Sequence, residues 1–162
     1  MRVPKRVVVT SLVRPFSASI QKICQSGILP EGNTSAYFGI YNLDYSKLSD
    51  GRKQLIDAIK GFDTLLKTVS SSTKTKIVGT ISFGKKAWNY LADGNDELLK
   101  AADQLIDFPG YGIAPSTQTD LYIHIHSKKE FATFEAAKLA VDSFNKDNPL
   151  ISVCDEKNGF VY

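Results

Sequence analysis

The feature that most limits how this chain can fold is the alternation of two spacings of apolar residues. Short segments rich in β-branched and aromatic residues, or alternating with period two, are separated by segments whose apolar residues recur every three or four positions. The strand-like segments are Ser35–Leu43, Lys76–Gly84, Thr119–Ser127 and Ile151–Tyr162. The expected order is therefore strand, helix, strand, helix, strand, helix, strand.

Two of the helical segments lie before the third strand. In the first, apolar residues from Leu55 to Val69 step by four, three, four and three positions, which places them on one face. The SSSTKT run is expected to end this helix, with Ser70–Ser72 as a linker. The second segment runs from Trp88 to Ile106. Its expected shared face consists of Leu98, Ala102, Leu105 and Ile106.

The third helical segment follows the third strand directly. The run DFPGYGIAPSTQ before that strand cannot be helical, because it contains two prolines and two glycines. Ser127 and Glu130 have the spacing of a capping box, which predicts a helix start at this point. The apolar residues expected on its core face are Phe134, Ala137, Val141 and Phe144.

This order predicts an α+β fold of the ferredoxin-like sandwich type. In such a fold a four-stranded antiparallel sheet carries helices on one face, and Trp88–Ile106 is then an extra helical insertion before the third strand. The opposite face of the sheet must be polar or be covered by something else.

The charge distribution argues against a nucleic-acid partner. The net charge of +3 comes from 20 Lys and Arg against 17 Asp and Glu. Five of the basic residues, and no acidic residue, fall within residues 1–24, so the remainder carries 15 basic and 17 acidic residues, a net charge of −2. No apolar run approaches the roughly 20 residues that a membrane-spanning helix needs.

Residues 1–24 have the composition of a mitochondrial transit peptide. They are rich in Arg and Ser and lack acidic residues, as targeting to an organelle requires. RPFSA at Arg14–Ala18 predicts cleavage between Phe16 and Ser17. This interpretation places a domain of residues 25–162 in the mitochondrial matrix; the alternative is a disordered basic arm.

The sequence shows no complete catalytic or metal-binding set. Cys24 and Cys154 have neither disulfide-framework nor zinc spacing, and Cys154 is expected to be a buried, inert thiol. In the third strand Leu121, Ile123 and Ile125 should face the helices, and Tyr122, His124 and His126 the other side. The two histidines could hold a metal or haem iron, but the chain has no third histidine, and a packing role on a partly covered sheet face is favoured.

Four stretches resemble the dye-decolorising (Dyp-type) haem peroxidases, a family built from two ferredoxin-like halves. They are QSGILPEGN, ISFGKKAWNYL, DFPGYGIAPSTQTDLYIHIHS and NGFVY, in order from Gln25 to Tyr162. The resemblance is to the N-terminal half, and it implies haem as cofactor and peroxide reduction as activity. It also implies that the distal Asp of a GxxDGT motif, the distal Arg and the proximal His lie in the other half.

None of those haem residues can be assigned in this sequence. It contains no GxxDG, and neither His124 nor His126 corresponds to the proximal histidine. We therefore expect no catalytic, cofactor-binding or metal-binding residue in this chain. We also do not expect the chain alone to turn over peroxide.

Three functions remain open from the sequence. One is the N-terminal half of a peroxidase, completed by a second chain. Another is a non-catalytic mitochondrial structural or assembly subunit, in which a homodimer or a protein partner covers the open sheet face. The last is a small ferredoxin-like monooxygenase or decarboxylase.

Overall fold

A computed structural model gives the fold. It describes residues 24–28, 32–103, 110, 112, 118–147 and 149–160. Four strands form one antiparallel sheet in the order β2-β3-β1-β4. They are β1 Ser35–Leu43, β2 Ile77–Phe83, β3 Leu121–Ser127 and β4 Ile151–Phe160.

Four helices connect these strands. They are α1 Leu48–Thr73, α2 Lys85–Ala92, α3 Asp96–Ala102 and α4 Glu130–Phe144. The long helices α1 and α4 pack against each other and cover one face of the sheet. The short helices α2 and α3 lie between β2 and β3, where the insertion was predicted. The predicted ferredoxin-like α+β fold is confirmed.

The core lies between the sheet and the two long helices. Along β3, Leu121, Ile123 and Ile125 are at most 1% exposed, as their alternation predicted. The predicted face of α1 is also buried, and its largest contributions come from Leu55, Phe62, Leu66 and Val69. In α4 the buried residues are mostly alanines, so this helix lies close to the sheet and to α1.

The prediction that Ser70–Ser72 form a linker was wrong. All three serines lie in the last turns of α1, which continues to Thr73. The Ser71 and Ser72 hydroxyls donate to carbonyls one turn back, at Lys67 and Val69. Such back-bonding satisfies the hydroxyls within the helix, so a serine run there does not require a break.

The predicted capping box at Ser127 was also wrong. The N-cap of α4 is Lys129, with no side-chain cap. The buried Ser127 hydroxyl instead contacts the Thr133 hydroxyl at 2.8 Å and accepts from the Lys129 N–H at 3.1 Å. Phe134, expected in the core, is 62% exposed, because the buried stripe of α4 is centred on its alanines.

Two further expectations differ from the structure. Leu98 in α3 is 41% exposed, whereas Ala102 is buried as predicted. Cys154 is exposed rather than buried, since it lies on β4 at an irregularity where the pairing with β1 shifts register between Ile40 and Tyr41.

Several predictions fall outside the described residues. They concern the leader with its cleavage site at Phe16, the side chains of Leu105 and Ile106, and most of the loop before β3. Within that loop the two described glycines, Gly110 and Gly112, have positive φ values of 77° and 33°, which are not helical. Among the described helices, none is both long and apolar enough to cross a membrane.

Candidate functional site: the open face of the sheet

The sheet face opposite α1 and α4, termed the open face, carries a row of aromatic rings. Phe38 comes from the centre of β1 and lies opposite His124 of β3. Tyr122 and His126 lie two residues before and after His124, and so point the same way. The alternation seen in the sequence therefore places these four rings together, as predicted for the three that β3 contributes.

Three of the rings form a parallel stack. The Phe38 and His124 ring centroids lie 4.6 Å apart, with the planes inclined by 9°. The His124 and His126 centroids lie 4.7 Å apart, with the planes inclined by 7°. Tyr122 is more distant, 6.4 Å from Phe38. Both faces of the His124 ring are therefore covered, and the ring is open only along its edge.

His126 is fixed by hydrogen bonds at both ring nitrogens. Its Nε2 lies 3.1 Å from the Gly27 carbonyl oxygen, and its Nδ1 lies 2.8 Å from the Asn33 side-chain nitrogen. A carbonyl can only accept, so Nε2 carries the proton and Nδ1 accepts from Asn33. This neutral tautomer has no lone pair left for a metal ion.

The segment that holds His126 also covers the outer edge of β2. The Gly27 N–H donates to the Gly79 carbonyl at 2.9 Å. The side-chain amide of Gln25 forms two bonds with the Ile81 backbone, donating to its carbonyl at 2.8 Å and accepting from its N–H at 2.7 Å. Gln25–Gly27 thus substitutes for an edge strand, which the sequence did not indicate beyond its Gly and Pro punctuation.

His124 is the remaining histidine, and its surroundings favour the neutral form. Partial burial lowers the pKa of His124, and the neighbouring His126 lowers it further. In the described part of the chain neither of its ring nitrogens has a hydrogen-bond partner.

These residues do not fit a haem iron. Only one imidazole nitrogen donor is available, and its ring is enclosed between two others. The single arginine of the described residues, Arg52, lies on the helical side of the sheet, near the Tyr90 ring and the Leu91 carbonyl. Within the same described residues, no three His, Cys, Asp or Glu side chains are grouped so that they could hold a metal ion.

Comparison with known families is consistent with this fold. A family model described as Dyp-type peroxidase, N-terminal, matches residues 25–161. The chain belongs to the Dyp-type peroxidase family. The sequence resembles the family from the stretch QSGILPEGN to the stretch NGFVY, and the match covers the same region. The matched residues correspond to the N-terminal domain of the family.

Solved Dyp-type structures share the fold. A dye-decolorizing protein from V. cholerae is 25% identical with a TM-score of 0.65, over 86% of this chain and 44% of that one. A variant of DypB from Rhodococcus jostii RHA1, in complex with heme, is 24% identical with a TM-score of 0.69, over 84% and 42%. The peroxidase from Bacteroides thetaiotaomicron is 24% identical with a TM-score of 0.65, over 85% and 43%.

This chain therefore spans less than half the length of the solved structures it matches. The open face and its ring stack belong to the Dyp-type N-terminal domain.

Proposed function

We propose that this chain supplies the N-terminal domain of a haem-dependent, peroxide-reducing protein. The haem ligands belong to a second domain that packs on the open face, and residues 1–162 do not reduce peroxide without it. The domain thus acts as the supporting half of a peroxidase.

The state of the open face carries this proposal. Phe38, Tyr122 and His124 are only half-buried in the isolated domain, although they form a contiguous row at the centre of the sheet. A partner that covers these rings would remove their remaining apolar surface from water, and this burial favours association.

The length comparison supports a haem-carrying domain as the occupant. More than half of each matched Dyp-type structure lies outside the region that this chain covers. One of those structures is described as a complex with heme. The present sequence has no GxxDG motif, and its two histidines are poorly placed to ligate iron.

A chimera tests the docking. Residues 25–160 of this chain would replace the matched N-terminal region of Rhodococcus jostii DypB, and haem uptake would be measured by the Soret absorption. We expect the chimera to bind haem, and Phe38→Lys to remove most of it by placing a charge in the interface. Phe134→Lys is the matched control, since Phe134 is exposed on α4, within the helical layer. A folded chimera without haem, or equal haem content in both variants, would contradict the proposal.

A haemin titration of the purified chain tests the second part. We expect no sharp, saturable Soret band, and the same weak spectrum for wild type and His124→Ala. A sharp band that disappears in His124→Ala would show that the domain ligates haem on its own.

Sedimentation of the same samples identifies the occupant. A monomer at micromolar concentration agrees with a separate haem-carrying domain. A dimer that Phe38→Lys dissociates and Phe134→Lys does not would show that a second copy covers the open face, as in the non-catalytic alternative.

We also propose that the protein acts in the mitochondrial matrix. The support is the composition of residues 1–24, which carry five basic and no acidic residues. Residues 1–24 fused to a fluorescent protein should direct it to mitochondria, and replacing Arg2, Arg6 and Arg14 by Gln should abolish this. Cytosolic fluorescence of the unmodified fusion would refute the assignment.

A further inference from the structure

A cavity of about 660 Å³ opens at one end of the sheet, away from the His124–His126 stack. It lies where the end of β1, the segment before β3 and the first turn of α2 meet. From its lining we infer that this cavity binds a small, polar organic anion bearing a carboxylate or phosphate group. The inference is independent of haem and of the partner on the open face.

Among the described residues that line the cavity, the one carboxylate already has partners. Asp120 is buried, and it accepts from the Leu43 N–H at 2.9 Å and from the Tyr45 hydroxyl at 2.7 Å. Each carboxylate oxygen of Asp120 therefore accepts a hydrogen bond from a donor of the protein itself. Asp120 thus forms a fixed part of the wall and is not positioned to neutralise a cation in the cavity.

The positive charges of the lining have no such partners. Lys85 and Lys86 are adjacent in the first turn of α2 and both line the cavity. The Lys86 ammonium lies 3.8 Å from the centre of the Tyr45 ring, a cation–π contact that holds it at the cavity wall. Of the carboxylates in the described residues, none lies within salt-bridge distance of either lysine. The lining therefore has an excess of positive charge.

The remaining lining residues indicate the rest of the ligand. Asn42 and Asn89 present amides, and Thr119 a hydroxyl. These groups donate and accept hydrogen bonds, as a ligand with hydroxyl or carbonyl groups requires. The volume lies in the range typical of small-molecule sites and far exceeds that of one inorganic ion. An anionic metabolite of several polar groups fits this combination.

The test is a titration of the ¹⁵N-labelled full chain, followed by amide chemical shifts at constant ionic strength. The probes are citrate and glucose 6-phosphate, with glucose as the neutral control. We expect saturable shifts at Asn89, Thr119 and Asp120 with at least one anion and none with glucose. Loss of charge-assisted hydrogen bonds should weaken binding at least about tenfold in the Lys85→Gln, Lys86→Gln double variant.

A second double variant distinguishes binding in the cavity from a general attraction of the anion to positive charge on the protein. Lys67→Gln with Lys138→Gln also removes two positive charges, from exposed positions on α1 and α4 that do not line the cavity. It should bind the anion within about twofold of wild type, since exposed charges outside the lining are screened by salt and make no hydrogen bond to the ligand. Equal weakening in both variants, shifts centred elsewhere, or no saturable shift with either anion would overturn the inference. Spectra of the unliganded variants show whether each is folded.

Discussion

At the scale of single residues, the shifted pKa values of Tyr45 and His124 link the stability of the fold to pH. Asp120 satisfies a buried backbone N–H and the Tyr45 hydroxyl together. Burial raises the pKa of Tyr45, and the hydrogen bond to Asp120 and its negative charge raise it further. Tyr45 therefore resists ionisation in the folded state more than in the unfolded state.

The first prediction concerns alkaline pH. Since the folded-state pKa of Tyr45 is raised, its contribution to stability is complete below the unfolded pKa of about 10 and is lost as the pH rises above that value. The free energy of urea unfolding should fall more between about pH 8 and pH 11 in wild type than in Tyr45→Phe. Every other ionisable group is present in both proteins, so the difference between the two curves isolates Tyr45. Parallel curves would mean that the Tyr45–Asp120 bond is absent in solution.

The second prediction concerns acidic pH and His124. Its pKa is lowered in the folded state, so its contribution is present above the unfolded value of about 6.5 and is lost as the pH falls through the folded pKa. His124→Phe retains a stacked ring that cannot be protonated. Between about pH 7.5 and pH 5 the wild type should lose more stability than His124→Phe. If the variant loses as much, the acid sensitivity arises from other groups.

At the scale of elements, close backbone approach explains how the N-terminal segment docks on β2. A Cβ added at Gly27 would lie 2.5 Å from the Gly79 carbonyl carbon, which is part of the β2 backbone and cannot rotate away. Glycine at this position allows the Gly27 N–H to reach the Gly79 carbonyl. The segment and strand can therefore pair only while this position lacks a side chain.

The third prediction compares two glycine-to-alanine substitutions that should change stability in opposite directions. Gly27→Ala should displace the segment from β2 and speed hydrogen exchange at the Ile81 amide, which donates to Gln25. Gly61→Ala is the control, because nothing lies within 4 Å of a Cβ there and alanine favours a helix. It should stabilise the protein by about 0.5–1 kcal/mol. Unchanged exchange at Ile81 in Gly27→Ala would show that the segment tolerates a side chain.

Elements with strong local periodicity could be predicted from the sequence, and the others could not. The predicted strand Ser35–Leu43 has the same bounds as β1 in the structure. The alternation at Leu121–Ile125 correctly predicted which face of β3 is buried. The C-terminal end of α1 and the cap of α4 were missed, because the Ser71 and Ser72 hydroxyls bond to carbonyls within the helix, and the Ser127 hydroxyl bonds to Thr133 and Lys129 without capping α4. Hydroxyl residues satisfy either a cap or a helix interior, and local sequence does not distinguish the two.

The same limit applies to the sites. The row of rings on the open face follows from period two and was predicted for β3, but its stacking with Phe38 depends on the pairing register of β1 and β3. The contacts of His126 with Gly27 and Asn33 join positions more than 90 residues apart in sequence. The cavity near Lys85 likewise combines three separate segments. Register and long-range contact are tertiary properties, and no local pattern encodes them.

At the scale of the whole molecule, the two edges of the sheet are treated differently. The β2 edge is covered by Gln25–Gly27, whereas β4 forms the other edge and carries an irregularity near Cys154. An uncovered straight edge offers free N–H and C=O groups to another sheet, and an irregular strand pairs less readily. The short segment before β1 thus protects the edge that has no irregularity of its own.

The fourth prediction tests this protection with two truncations, one lacking residues 1–24 and one lacking residues 1–28. They differ only by the segment that bonds to Gly79, Ile81 and His126. Loss of these bonds should lower the free energy of urea unfolding by roughly 2–5 kcal/mol, at a net value of about 1 kcal/mol per bond.

The shorter protein should also self-associate with rising concentration in sedimentation velocity, because its β2 edge can pair with a second copy. The protein lacking only residues 1–24 is the control and should not show this association. Thr80→Pro would not serve as a further control, since Thr80 lies opposite His124 within the β2–β3 pair and a proline there would disturb the sheet itself. Equal stability and equal sedimentation of the two truncations would show that Gln25–Gly27 neither stabilises the sheet nor blocks its edge.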